Sequence, residues 1–261
     1  MTFFDATAYE RFMGRWSRRL APLLIDFAGV REGDRVLDVG SGTGSLALEL
    51  AATRRVEVVG IDPSAAFIEH ARTRAAGRPV RFDVGDAQAL PYEDASFDTC
   101  LALLVINHIP DPRKAASEMR RVTRPGGRTA AAVWDYGEGM TLLRTFWDAA
   151  VALDPAAEPR HERHMPCCRR NQLSTLWAES GLQEIEETAL VIPMEFASFD
   201  ALWAPFLEGQ GPGGAYVASL TPDRRQALRQ RLRQELSAGD SDQPIRIDAR
   251  AWAVRGNTPQ R

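Results

Sequence analysis

Apolar runs and helix-like stretches alternate through the first half of the chain. Residues 35–39, 56–61, 80–84, 97–106 and 127–134 are short runs rich in Val, Ile, Leu, Phe and Ala, which predicts five strands. Between them, residues 45–53, 64–76 and 112–122 carry good helix formers. Pro63 stands where the first turn of a helix accepts proline. Strands that are apolar along nearly their whole length are covered on both faces. Their alternation with helices predicts a parallel sheet with right-handed crossovers, so residues 31–135 read as a doubly wound α/β unit.

The second half is less regular. Residues 141–153 place Leu142, Phe146, Ala149, Ala150 and Leu153 at helical spacing, and 154–170 read as a polar loop. A helix over 171–180 ends at Gly181, a C-cap residue. Residues 183–192 read as a strand and 198–207 as a short helix. Four glycines and a proline over 209–214 predict a loop, a candidate mobile lid. Residues 222–237 form a helix with Leu228, Leu232 and Leu236 on one face, and 245–254 a final strand.

Three places along this pattern carry chemistry. The first is Val36-Leu37-Asp38-Val39-Gly40-Ser41-Gly42-Thr43-Gly44, a strand running through a glycine-rich turn into a helix. Such a turn lets a ligand approach the backbone and offers open amides at the helix start. The glycines follow G-x-G-x-G, with Ser45 where a nicotinamide fingerprint needs its last glycine. The second is Asp62, 18 residues after Gly44 at the end of the second strand. It can accept both hydroxyls of a ribose or cap the helix that follows. The third is Gly85-Asp86-Ala87, past the third strand, where a carboxylate can accept a bond from an adenine amino group or simply belong to the loop.

Together with Ser96-Phe97-Asp98 and Arg124-Pro125-Gly126-Gly127, these motifs resemble those of the class I S-adenosylmethionine-dependent methyltransferases. Among these they are most similar to the small-molecule, type 11 group that includes the ubiquinone/menaquinone biosynthesis methyltransferases. The resemblance is dense over 31–135 and continues weakly to 249–256. It implies a Rossmann-like, seven-stranded, mostly parallel α/β sheet. The last strand would be antiparallel, with helices on both faces and a helical insertion over the acceptor site. It implies S-adenosyl-L-methionine as cofactor, S-adenosyl-L-homocysteine as product and methyl transfer to O, N or C of a small molecule. Residue by residue, Asp38, Gly40, Ser41 and Gly42 match the lining of the methionine moiety. Asp62, with Pro63 and Ser64 beside it, matches the ribose site. Asp86 and Ala87 match the adenine edge, and Leu103 falls near the sulfur. Residues 9–18 resemble a cover helix from which Tyr9 or Arg15 reaches the cofactor's carboxylate, or which is docked only by Phe12 and Trp16.

His108, His161 and His164 are the candidate bases; His108, after the fourth strand, falls closest to the methyl, with bracing of its loop as the alternative role, and no catalytic residue is assigned beyond it. Trp134, Trp147, Trp203, Phe206 and Tyr216 either line an apolar acceptor site or form ordinary core. His161, His164, Cys167 and Cys168 contain ligand types, but adjacent cysteines lack the usual Cys-x2-Cys spacing, so no metal is expected. The rival readings are a non-catalytic relative that only binds cofactor, and an NAD(P)-dependent oxidoreductase, disfavoured by Ser45.

Composition changes this picture little. Of 32 basic residues only Lys114 is lysine, so arginine clusters reflect a coding bias more than phosphate binding. Net charge is −3, and no Asn/Asp-Pro-Pro-aromatic motif follows the fourth strand, so nucleic acid is not an expected partner. Three cysteines make no disulfide framework and suggest a cytoplasmic protein. No signal peptide or membrane span is expected. The 261 residues predict a single methyltransferase domain, monomeric or homodimeric. Residues 1–30 would supply cover helices, 31–135 the cofactor core, 136–243 the acceptor side and 244–261 the last strand and tail.

Overall fold

β1 (Arg35–Val39) and β4 (Phe97–Leu103) lie side by side in a seven-stranded sheet of order β3-β2-β1-β4-β5-β7-β6. The computed structural model describes residues 5–236 and 243–260. From β1 the chain runs outward through α3 (Ser45–Thr53), β2 (Glu57–Asp62), α4 (Ala65–Arg74) and β3 (Val80–Val84). It then returns to β4 on the other side of β1 and continues through α5 (Pro112–Val122) to β5 (Thr123–Trp134). All these pairings are parallel. The reversal of direction between β1 and β4 opens a crevice at the carboxyl ends of the strands, where ligands of open α/β sheets bind.

β7 (Ile245–Asn257) runs antiparallel between β5 and β6 (Gln183–Phe196), from Val133↔Trp252 on one side to Phe196↔Ile245 on the other. Helices cover both faces of the sheet. α2 (Arg15–Ala28) packs against α3 and the β5–β6 half, while α5 packs against α7 (Gln172–Glu179). One hydrophobic core runs from Phe12 to Val254. Its β-strand centre is nearly dry: Val36, Leu37, Cys100, Leu101 and Ala130–Val133 are fully buried. The apolar runs that predicted strands are therefore the strands buried on both faces.

Several elements differ from the sequence reading. β4 ends at Leu103 rather than at 106, because Leu104 turns to φ +60° and Ile106–His108 form a 3-10 turn. β6 and β7 are longer than expected. β6 is an edge strand whose Glu184, Glu186, Glu187 and Glu195 break the apolar pattern, and long-range pairing to β7 holds it extended. The loop over 154–170 holds two 3-10 segments, Pro155–Arg160 and Glu162–His164. The glycine-rich stretch is not a mobile loop but the start of α9 (Gly211–Ser219). A Cβ at Gly213 would lie 3.1 Å from the Phe206 ring, and one at Gly214 would meet the Gly209 backbone at 2.8 Å. Glycine here permits close helix packing. The helix expected over 222–237 is α10 (Pro222–Leu236); Ser237 lies outside the described residues.

Candidate active site

The N-terminal helix crosses the crevice. α1 (Ala6–Tyr9) passes through a π-helical turn (Glu10–Gly14) into α2. The wider turn sits where Glu10 is pinned to the glycine loop, and π-turns often mark functional sites. Arg74 donates to Glu10 Oε1 at 3.1 Å and to the Thr43 carbonyl at 2.9 Å. The Thr43 hydroxyl and Arg18 also bond the Glu10 carboxylate. Tyr9, Met13 and Ser17, four residues apart, share the face that looks into the crevice.

Beneath this cover is a cavity of about 390 Å³, formed by the strand ends and the loops that follow them. Asp38 lies behind it, beside a smaller adjoining cavity. It is buried, its Oδ2 accepts from the Ala47 N–H at 3.1 Å, and its Oδ1 has no partner among the described residues. Burial pushes its carboxyl up to about 7, with the Asp62 charge adding to the effect. The Ser41 and Ser45 hydroxyls are likewise buried without partners, around a small adjoining cavity of about 30 Å³ that Asp38 and Leu103 also line. Three orphaned polar atoms in one place fit a ligand end carrying both donors and acceptors, since buried polar groups are seldom left unpaired.

Gly40 makes the turn above them at φ +68°, and a Cβ there would stand 2.4 Å from Val105 Cγ2. Only glycine allows the β1 and β4 loops to meet this closely.

Asp62 closes β2. Its Oδ2 accepts from the Gly42 N–H at 3.0 Å and its Oδ1 from the Ser64 N–H at 2.8 Å. Burial outweighs these two bonds and raises its pKa. Of the two roles open to Asp62, the helix cap is filled by Ser64, whose hydroxyl accepts from the Phe67 N–H at 3.4 Å. Asp62 instead lines the cavity with Pro63 and Ser64. Asp86 and Ala87 border its outer end, and Asp86 is held low by bonds from the Gln88 N–H and side-chain amide. Leu103 lies between the two cavities. Tyr9 is half-buried with its hydroxyl 3.4 Å from Ser17 Oγ and its ring 5.6 Å from Phe67.

Arg15 does not join them. Midway between Met13 and Ser17 on the helix, it faces the other way. Its guanidinium stacks over Trp16 at 4.4 Å and over Phe196 at 4.9 Å. Of the five aromatic candidates only Trp134 lines the cavity. Phe206 stacks on Phe146 at 4.5 Å, Trp147 packs on Tyr216 at 5.4 Å, and Trp203 lies 5.8 Å from Phe206. These four are core, reaching the cover through Phe12, 5.1 Å from Phe206.

His108 lines the cavity while remaining exposed to solvent, and partial desolvation by the surrounding wall lowers its pKa, which favours the neutral form near pH 7. His161 faces Asp148 at 3.3 Å and His164 faces Glu158 at 2.8 Å, while Cys168 Sγ donates to the Met165 carbonyl at 3.0 Å. Among the described residues no three His, Cys, Asp or Glu side chains are placed to hold a metal ion. No helix among them is long and apolar enough to cross a membrane.

Several lining residues carried no signal in the sequence. Met13, Phe67, Val105, Ile109 and Tyr136 are ordinary apolar or aromatic positions until the fold brings them together. Ser45 was legible in principle, since the first residue of a helix after a glycine turn faces whatever the turn binds.

Comparison with known proteins agrees with this geometry. A family model described as a methyltransferase domain matches residues 37–131. An uncharacterized protein of Mycobacterium tuberculosis is 31% identical over 174 residues, which cover 64% of this chain and 63% of the relative. A demethylmenaquinone methyltransferase of Renibacterium salmoninarum is 37% identical over 134 residues, 51% of this chain and 54% of the relative. The chain thus spans less than two thirds of these curated relatives. Among solved structures, the YcgJ protein of Bacillus subtilis superposes with a TM-score of 0.63 at 23% identity, over 93% of this chain and 99% of that one. At that identity the likeness is one of fold.

Proposed function

We propose that this chain, whose residues 37–131 belong to the methyltransferase-domain family, transfers a methyl group from S-adenosyl-L-methionine to O, N or C of a small molecule. The observation that carries the reading is the trio of buried atoms without a partner among the described residues, Asp38 Oδ1, Ser41 Oγ and Ser45 Oγ, on residues around a small cavity that shares Gly40, Gly42 and Leu103 with the larger one Asp62 lines. Asp38 and the two serines suit the amino-acid end of the cofactor, the ammonium above all. Asp62 suits the ribose hydroxyls, with Pro63 and Ser64 beside it. Asp86 and Ala87 suit the adenine edge, and Gly40, Gly42, Leu103 and Tyr9 the centre.

The cofactor supplies a methyl group made electrophilic by its sulfonium sulfur. Everything else is positioning and exclusion of water. Asp38 holds an ammonium against a carboxylate that burial has made reluctant to ionise alone. Tyr9, Met13 and Ser17 cover the ligand, and the Glu10 contacts with Arg74, Arg18 and Thr43 tie that cover to the glycine loop. His108, neutral and at the cavity wall, is placed to take a proton where the acceptor loses one.

In this reading 1–261 is a single domain: 1–30 the cover, 31–135 the cofactor core, 136–243 the acceptor side and 244–261 the closing strand and tail. Three free thiols, Cys100, Cys167 and Cys168, suit a cytoplasmic setting.

The test is incubation with methyl-tritiated S-adenosylmethionine and a low-mass metabolite extract. Label should enter a low-mass product, and Asp62→Ala should abolish the transfer. No labelled product in repeated extracts, with S-adenosylhomocysteine still bound, would leave the non-catalytic reading.

A further inference from the structure

The lining of the cavity divides by chemistry. Among the described residues Asp62 and Asp86 are its only charged side chains, both where the cofactor reading puts the nucleoside. Beyond Leu103 the wall is Leu104, Val105, Ile109 and Pro110, with His108, Trp134 and Tyr136. No arginine or lysine among the described residues lines it, in a chain with 32 of them. An anionic acceptor would therefore be buried with no counter-charge, at a high desolvation cost. Burial also holds Tyr136 in its neutral phenol form, and the nearby Glu162 adds to that effect. The far end suits a neutral, mainly apolar molecule.

Trp134 adds one specific demand. It is 1% exposed, and its indole N–H is buried with no hydrogen-bond acceptor among the described residues. An indole can only donate, and buried tryptophans ordinarily find a partner. Trp147 and Trp177 do so, donating to Glu162 at 2.7 Å and to the Thr129 carbonyl at 3.4 Å. Trp16 also lacks one, but it lies under Arg15 and Arg19 and does not line this cavity. Trp134 combines an orphaned donor with a place on the cavity wall. It is also fixed there: it pairs with Ala251 at the end of β5, and the Tyr136 N–H donates to its carbonyl at 3.0 Å.

We propose that Trp134 determines acceptor specificity, its indole N–H donating to an oxygen atom of a neutral, otherwise apolar acceptor such as a phenol, enol or ketone. This rests on the methyl-transfer reading, because that reading assigns the charged end of the cavity to the cofactor. An acceptor lacking the oxygen leaves the donor unpaired, whereas one bearing it pairs the donor and fills the apolar wall.

The experiment uses the full chain saturated with S-adenosylhomocysteine, with that saturation established first by calorimetry. Tryptophan is labelled with nitrogen-15 in the indole ring, and three probes of similar shape are titrated: p-cresol, p-xylene and p-toluate. The Trp134 resonance is the one lost in Trp134→Phe. The expected result is a downfield move of that indole proton with p-cresol only. p-Cresol should bind about 3- to 10-fold tighter than p-xylene, the range for one neutral hydrogen bond, with p-toluate weakest. In Trp134→Phe the preference for p-cresol should fall to about one. If the variant fails to fold, the order of the three affinities in the unmodified protein decides. Equal affinity for p-cresol and p-xylene, tightest binding of p-toluate, an unmoved indole resonance or no binding of any probe would each overturn the proposal. Failure to bind S-adenosylhomocysteine would overturn the methyl-transfer reading instead.

Discussion

Replacing Asp38 by Asn should make the protein more stable and less able to bind its cofactor, and the size of both effects follows from burial. The carboxyl is buried, with one hydrogen bond to Oδ2 and none to Oδ1, and its pKa stands at about 7 against a usual 3.8. The folded state therefore keeps a proton that the unfolded chain releases once the pH passes about 4. Stability falls as pH rises from there to about 7, where the folded carboxyl ionises too. Roughly three pKa units at 1.36 kcal/mol each set an upper bound of about 4 kcal/mol on what wild type gives up. Asn keeps the shape and can still accept from the Ala47 N–H, but has no proton to lose. Urea unfolding of the two proteins should show a gain of about 1 kcal/mol at pH 4.5, growing to as much as about 4 kcal/mol at pH 8. Saturating S-adenosylhomocysteine at pH 8 should reverse the order, because its ammonium pairs with Asp38 and not with Asn. A gain that does not grow with pH would refute the burial account. Unchanged ligand affinity in the variant would refute the ammonium pairing.

Other consequences can be checked in the same way. Gly40→Ala puts a methyl 2.4 Å from Val105 Cγ2 at a φ of +68°, and should cost about 2–4 kcal/mol in chemical denaturation. Adding Val105→Ala should recover the steric part of that loss and not the backbone part. Glu162, fully buried with one bond from Trp147 and a pKa raised to about 7, carries the same sign as Asp38. Glu162→Gln should stabilise by up to about 3 kcal/mol at pH 8 and by less than about 1 kcal/mol at pH 5, read by urea midpoints at the two pH values.

The parts of the fold that were legible in the sequence are those fixed by local pattern. α3 spans Ser45–Thr53 and β3 Val80–Val84, as the apolar runs and the glycine turn predict, because Gly44 sets the start of the one and Pro79 and Gly85 flank the other. The cavity-lining positions of Asp38, Gly40, Gly42 and Asp62 follow from strand ends, which the sequence marks well. What was not legible depends on distant partners. Leu104 ends β4 by a left-handed turn that no composition signals, held by its N–H to the Ala132 carbonyl at 2.8 Å. The glycines before Tyr216 read as a loop because their purpose, close packing against Phe206, appears only in three dimensions. Arg15 looked available until the helix phase set by Tyr9, Met13 and Ser17 turned it toward Phe196. Trp134 was one of five equivalent aromatics, and only the strand end on which it sits separates it from the core cluster.

If the cavity between the β1 turn and the N-terminal cover is a cofactor site centred on Asp62, titration calorimetry with S-adenosylhomocysteine should show one-to-one binding in the micromolar range. Asp62→Ala should weaken that binding about 30-fold or more by loss of its bonds to the ribose hydroxyls. No binding heat at about 300 μM ligand, or an Asp62→Ala protein that binds as tightly as wild type, would contradict the cofactor-site reading.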